Sequence, residues 1–247
     1  MNGLTNPMDV IKKMFSEERW DDLVLFCKKM LQDDPHDMMA LQNLSATYVR
    51  MGRFTDALSY SDIVLEISPD DEYALKNKIY ALEGLGRYGD VVACCDRLLD
   101  KNKSDVWALD SKGLALNQLG RQEDAIECYN LSLKHDPNNV TALANKASTL
   151  SFLKRYDEAI ACFDGAQKLN NNIRGLALAK SAAYQNLGMD DEAFLAAQGL
   201  LGDDIVRFKE EARRRKMKVF DWYCLNEFNE LEAKEKRHQE KLNSKFV

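Results

Sequence analysis

The residues best suited to chemistry in this sequence are three histidines and six cysteines, an imidazole serving as base or metal ligand and a thiolate as nucleophile or ligand. His36 stands in a polar turn, His135 near the end of an apolar-periodic stretch and His238 in a charged tail, so no metal cluster or catalytic pairing is apparent. There is no Cys-x-x-Cys pair, no glycine-rich phosphate loop and no strand to carry a nucleophile elbow. Carboxylates abound, but they sit at the starts of helical stretches and on solvated faces. No catalytic residue, metal site or cofactor is therefore assigned. The cysteines point elsewhere: Cys94, Cys128 and Cys162 are 34 residues apart, and Cys27 and Cys95 stand one place further along their own stretches. Equivalent helices in a stack are at least one packed helix apart, beyond the roughly 7 Å Cα limit of a disulfide, so these thiols are expected to be reduced core filler.

The same spacing organises most of the chain. Steps of 34 from Pro137 reach Lys103, Pro69 and Pro35 backwards and Asn171 forwards, each inside a polar cluster. From Gly120 they reach Gly86 and Gly52, then Lys154 and Gly188; from Ala125 they reach Val91, Ala57 and Leu23, then Ala159 and Ala193. A fixed period of this length signals stacked supersecondary units. Six units are expected within residues 1–202, at about 4–37, 38–71, 72–105, 106–139, 140–173 and 174–202, followed by a tail over 203–247.

Each unit reads as two amphipathic helices. In the second, Leu41, Leu44, Ser45 and Tyr48 share one face of the first helix, and Ala57, Ser61, Val64 and Leu65 share one face of the next. Gly52 between them suits a left-handed helix end, and Ser68-Pro69-Asp70-Asp71 stops one unit and caps the following one. The first unit is degenerate: Pro7 can open a short helix carrying Val10, Ile11 and Met14, and Glu18 replaces the glycine before a second helix from about Trp20. The third unit carries Ile79 and Val91 where other units have small residues, which predicts a slightly splayed hairpin. Lys154 stands at a glycine position and should cost on the order of 1 kcal/mol if left-handed.

The arrangement Leu41-x2-Leu44-Ser45-x2-Tyr48, then Ala57, then Pro69, resembles the tetratricopeptide repeat, which has this period. Leu109, Gly113, Leu116, Ala125, Tyr129 and Pro137 match in the fourth unit, Leu143, Ala147, Leu150, Ala159 and Phe163 in the fifth, and Ser181, Tyr184, Gly188 and Ala193 in the sixth. The resemblance covers roughly residues 4–202. It implies an all-α fold, a right-handed superhelical solenoid of stacked antiparallel helix hairpins, with a C-terminal capping helix. It also implies a non-catalytic protein-interaction scaffold whose first helices line a concave groove for a peptide or partner helix. In the family that groove is lined by the second, fifth, sixth, ninth, twelfth and thirteenth residues of each unit. The groove residues expected here are Asn43, Tyr73, Asn77, Tyr80, Trp107, Ser111, Asn145 and Phe152, with Asn43, Asn77, Ser111 and Asn145 forming a polar row. The set of Lys and Asn in one unit, Asn in the next and Lys and Arg in a third, with which the best-known peptide-binding subset clamps a C-terminal carboxylate, is not supplied by any three consecutive units.

The tail has no Gly or Pro after Asp203 and reads as helix, its residues Ile205, Val206, Phe208 and Ala212 able to cover the last hairpin. Met217, Phe220, Cys224, Phe228 and Leu231 form a stripe flanked by Trp222 and Tyr223, so this segment wants two apolar neighbours. Phe220, Trp222, Tyr223 and Phe228 are thus a second candidate interface, with a homodimer through this helix as one outcome. A lysine ladder, Lys78, Lys112, Lys146 and Lys180, reads as stems packed on the core with ammonium groups reaching water.

With no signal peptide at Met1–Met14 and no apolar run near the ~20 residues of a membrane span, the protein is expected to be soluble and cytoplasmic, with no membrane partner. Alternative readings are a nucleic-acid-binding helical repeat that uses the basic run at residues 213–218, and a non-catalytic subunit of an enzyme complex. The tail holds twelve Lys or Arg against ten Asp or Glu, so of the net charge of -6 the other residues carry -8. An acidic body disfavours a phosphate backbone. The expected outcome is weak or no binding to a random oligonucleotide at ~150 mM salt. Submicromolar binding that is lost when Arg213, Arg214 and Arg215 become Ala would favour the nucleic-acid reading.

Overall fold

The computed structural model describes residues 6–170 and 174–243. Among them are fourteen helices and no strand, and no helix is long and apolar enough to cross a membrane. The chain forms two compact units, Met1–Pro137 and Asn138–Val247.

The first unit holds α1 (Pro7–Ser16), α2 (Trp20–Asp33), α3 (Met38–Arg50), α4 (Phe54–Ile67), α5 (Glu72–Gly84), α6 (Tyr88–Lys101), α7 (Val106–Gln118) and α8 (Gln122–His135). Consecutive helices pack as hairpins, and α2, α4 and α6 each pack on the helix that follows. Each helix therefore buries one stripe on two neighbours. Leu23, Cys27, Leu44, Tyr48 and Ala57 share one core cluster, and Leu75, Ile79, Val91, Cys95 and Leu98 another. The small sites lie at the closest approaches: a Cβ added to Gly113 would stand 2.6 Å from the Tyr129 ring, so only glycine fits there. Between α5 and α6, where Ile79 and Val91 replace small residues, the helix contact is the sparsest of the α3–α4, α5–α6 and α7–α8 hairpins, as their bulk predicts.

The joints repeat as faithfully as the cores. Asp37, Asp71 and Asp105 each accept a hydrogen bond from the third amide of the next helix, on Ala40, Ala74 and Ala108, at 2.7–3.0 Å. Arg53, Arg87 and Arg121 precede the second helices and bond Asp56, Asp90 and Asp124; these pairs are exposed, so solvent screens them and they contribute little to stability.

In the second unit α9 (Val140–Phe152) pairs with α10 (Tyr156–Leu169) and α11 (Arg174–Asn186) with α12 (Asp190–Ala197). The tail is two helices, α13 (Gly202–Arg214) and α14 (Val219–Asn243), not one. Lys216 takes a left-handed φ of 55° and breaks the helix without any Gly or Pro to announce it. Ile205, Ala212, Val219 and Trp222 enter a core cluster with Tyr184, Ala193 and Leu195, so both tail helices cover the last hairpin. Val206 is the exception, 59% exposed.

Lys154 sits at φ 61°, the conformation that Gly52, Gly86, Gly120 and Gly188 adopt at equivalent joints. A side chain there crowds the following carbonyl. Lys154→Gly should raise the stability of the protein by about 1 kcal/mol in urea unfolding, since the joint is otherwise unchanged. A loss of stability would mean that the lysine stem contributes packing which outweighs the strain.

Candidate partner-binding pocket

The second, sixth and ninth residues of the third unit, Tyr73, Asn77 and Tyr80, are three to four residues apart on α5 and therefore share a face. Opposite them the last turn of α3 presents Ala46, Val49 and Arg50, and α1 contributes Phe15. These seven residues enclose a cavity of about 280 Å³. Tyr73 and Tyr80 are 48% and 44% exposed, so each ring has a face open to solvent. Phe15 is held edge-on by Trp20, ring centroids 4.9 Å apart, and the Arg50 guanidinium lies 6.0 Å from the Phe15 centroid. Arg50 also borders a cavity of about 460 Å³ on the other side of Phe15, shared with Ser16, Glu18 and Trp20. Among the described residues Arg50 has no carboxylate partner.

Asn77 differs from its equivalents. Asn43 is half-buried and donates its amide to the Met39 carbonyl at 2.7 Å, which satisfies it on its own helix. Ser111 is buried. Asn77 is only 6% exposed, and its Nδ2 has no acceptor among the described residues. The polar row expected from the sixth positions thus does not project evenly from the first unit: packing draws Asn77 and Ser111 inward. Further along this unit Tyr80 meets Trp107 at 5.4 Å, and Lys76 stands 5.4 Å over the Trp107 ring while pairing with Glu72 at 2.7 Å. Phe15, Tyr73, Tyr80 and Trp107 give the first unit four aromatic side chains around α5.

Phe15, Val49 and Arg50 escaped the sequence reading, although a signal existed. Phe15 and Val49 are the twelfth residues of their repeats and Arg50 the thirteenth, positions that line the groove in the family, although the first repeat is degenerate.

Asn145 and Phe152 belong to the second unit, where Asn145 is half-buried and Phe152 is 72% exposed on the last turn of α9. Of the proposed second interface, Trp222 is 5% exposed and lies in the core of the cap, its ring covered by Arg215 at 4.0 Å. The reason is that α14 turns its indole onto Phe208 and the last hairpin. Tyr223 is half-buried against Phe194 and Phe208. Phe220 is 57% exposed while touching Phe194, and the side chain of Phe228 lies outside the described residues. A cavity of about 570 Å³ between α12, α13 and α14 is lined by charges of both signs, with Lys209 paired to Glu192. The run at 213–218 is a helix end and a turn, with Arg214 on Glu210 at 3.8 Å.

The lysine ladder has partners that the sequence reading overlooked. Lys78 and Lys112 bond Asp62 and Asp96 at 2.6 Å, each sixteen residues earlier, and Lys180 bonds Asp164 at 2.7 Å. Lys180 is fully buried, and its ammonium also donates to Gln167 Oε1 and the Leu200 carbonyl, so there the ammonium does not reach water. Nucleophilic chemistry finds no support in five of the six thiols: burial pushes Cys27 up to about 12 and raises Cys94, Cys95, Cys128 and Cys162, keeping them protonated. Burial also raises the Glu83 carboxyl of α5. Among the described residues no group of three His, Cys, Asp or Glu is placed to hold a metal.

Two overlapping segments, residues 108–139 and 128–161, match the tetratricopeptide repeat. No curated protein matches the sequence significantly. Among solved structures, PilW, described as a widely conserved type IV pilus biogenesis factor, aligns with a TM-score of 0.70 at 19% identity, over 77% of this chain and 88% of its own. A tetratricopeptide repeat protein from Parabacteroides merdae gives 0.68 at 19% identity, over 77% of this chain and 75% of its own. MamA from Desulfovibrio magneticus gives 0.63 at 16% identity, over 68% of this chain and 94% of its own. Identities this low carry the fold alone.

Asn77 tests whether the pocket holds back a hydrogen bond. A buried amide without a partner costs about 1–3 kcal/mol, so Asn77→Ala should leave the unfolding free energy unchanged or higher in urea titration. A loss of 2 kcal/mol or more, roughly what a packed core truncation costs, would show that the amide is structural.

Proposed function

From the premise that the chain is a tetratricopeptide-repeat protein, we propose that it works without catalysis, as a scaffold that holds a peptide or partner helix on the first-helix faces. The observation that carries this reading is the solvent-open aromatic pocket of α1, α3 and α5, in which, among the described residues, Asn77 lacks an acceptor and Arg50 a carboxylate. Folding alone favours satisfied polar groups and covered rings, and a bound segment would supply both. Of the eight groove residues expected from the sequence, Tyr73, Asn77, Tyr80 and Trp107 stand together in the first unit around this pocket. They are proposed as its contact set, with Asn43 and Ser111 proposed as framework, and Asn145 and Phe152 proposed as contacts of the second unit in their own right.

The enzyme-complex reading remains compatible with a scaffold, since a subunit without chemistry would use the same face. The basic turn at 213–218 gives little support to nucleic-acid binding, because two of its arginines are already engaged by Glu210 and Trp222.

Affinity purification from the native cell, followed by mass spectrometry, compares wild type with a Tyr73→Ala/Tyr80→Ala variant. Both rings are about half exposed, so the fold should survive with an unchanged melting curve. Central aromatic anchors typically contribute more than 1 kcal/mol each to binding, and the variant should lose its partners about tenfold or more. Recovery of the same partners by this variant and by Trp107→Ala would remove the face from consideration and leave the α13–α14 region as the candidate.

A further inference from the structure

The pocket of α1, α3 and α5 also limits what can occupy it. Its volume of about 280 Å³ falls below the ~300–1,000 Å³ of sites that engulf a whole small ligand, so it suits one or two side chains of a longer segment. Phe15, Tyr73, Tyr80, Ala46 and Val49 make its walls apolar or aromatic. The polar groups at its edge are donors: Asn77 Nδ2, buried with no partner among the described residues, and the exposed Arg50 guanidinium, which has no carboxylate partner among them. A lysine or arginine guest would find three aromatic rings but would meet the Arg50 charge at close range, where like charges repel. A carboxylate beside an apolar side chain would find a charge-assisted hydrogen bond instead.

Resting on the reading that this face binds a partner, we infer that the pocket receives an acidic segment of a partner protein. A bulky apolar side chain fills the space between Tyr73, Tyr80 and Phe15. A flanking Asp or Glu pairs with Arg50, and a main-chain carbonyl of the segment accepts from Asn77. Arg50 lines this pocket with its guanidinium 6.0 Å from the Phe15 centroid, and since Glu18 lines the neighbouring cavity that Arg50 also borders, the guest carboxylate meets Arg50 on the side of α5, where no Asp or Glu lines the pocket.

General electrostatics predicts the opposite preference. The chain carries a net charge of -6, so non-specific attraction favours lysine-rich peptides over acidic ones. A preference for acidic flanks must therefore come from a local site.

The test uses the full-length protein, ¹⁵N-labelled, and three capped decapeptides. The first has one Phe flanked on each side by two Glu, the second has Lys in place of the Glu, and the third keeps the Glu but replaces Phe by Ala. At physiological salt the Glu-flanked Phe peptide should shift the Asn77 side-chain amide and the backbone amides of Ala46 to Arg50, and bind about tenfold more tightly than either control. Arg50→Gln, an exposed substitution, should abolish the preference for Glu over Lys while keeping that for Phe over Ala. Equal or tighter binding of the Lys-flanked Phe peptide at the same amides would overturn the acidic inference and leave the face as a binding surface. If none of the peptides shifts these amides, or the Glu-flanked peptide shifts those of residues 213–218 instead, the inference fails. The partner recovery of the Tyr73→Ala/Tyr80→Ala variant then decides separately whether the face binds.

Discussion

Close approach between the two helices of a hairpin is the constraint on which the rest of the structure depends. Each helix has one apolar stripe, too little to be stable alone in water, and it becomes useful only where a neighbour comes near enough to cover it. Small residues set that distance. Ser45 donates to the Ala57 carbonyl at 3.1 Å and shares a hydrogen bond with Ser61, Ser181 donates to the Ala193 carbonyl at 2.7 Å, and Gly113 leaves room for Tyr129. Where the small pair is lost, at Ile79 and Val91, the contact loosens but the hairpin survives, because Cys95 replaces the aromatic ring that stands at Tyr129 and Phe163.

From this constraint follows the division of labour between helices. Second helices and the inward stripes of first helices are occupied with the stack, and their polar atoms are largely satisfied by it, as the Lys–Asp pairs show. The face of a first helix that its own hairpin does not cover is free to vary, and it is there that Tyr73, Tyr80 and Arg50 stand. A repeat array can thus change what it binds without changing how it folds.

The fold was legible because a period of 34 residues is visible in single letters, and because each joint carries its own punctuation: an Asp or Asn before each of α3, α5, α7 and α9, and a glycine after most first helices. Three places were harder to read for one physical reason. Glu18, Lys154 and Lys216 hold left-handed backbones with side chains that do not advertise them. At Lys154 the repeat register exposed the substitution. At Lys216 no register extends that far, so the break between α13 and α14 was invisible, and with it the turn that carries Trp222 into the core. The pocket was half legible. Tyr73, Asn77 and Tyr80 follow from their positions, whereas the burial of Asn77 depends on side chains brought from α1 and α3, which a one-helix pattern does not contain.

Buried polar groups show why Asn77 stands apart. The fully buried ammonium of Lys180 has three donors and three acceptors, Asp164, Gln167 and the Leu200 carbonyl, so this fold can satisfy even a charge in its core. Among the described residues Ser151 Oγ is also without a partner, and two large aromatics leave a polar atom unpaired, Tyr129 Oη and Trp222 Nε1. Each buries an area of order 150–250 Å², worth roughly 4–6 kcal/mol at about 25 cal/mol per Å², against about 1–3 kcal/mol for one missing hydrogen bond. Packing therefore explains both. Asn77 has no such compensation, since its side chain is mostly amide and a leucine or alanine would suit folding better at that site. Its equivalent, Asn43, returns its amide to Met39 on its own helix, so the same backbone position does not force an unpaired amide. What separates the two is the company that Asn77 keeps, an open pocket with two half-exposed tyrosines and an arginine that has no carboxylate partner among the described residues. A buried donor without a partner beside an open pocket is the observation on which the proposed binding rests.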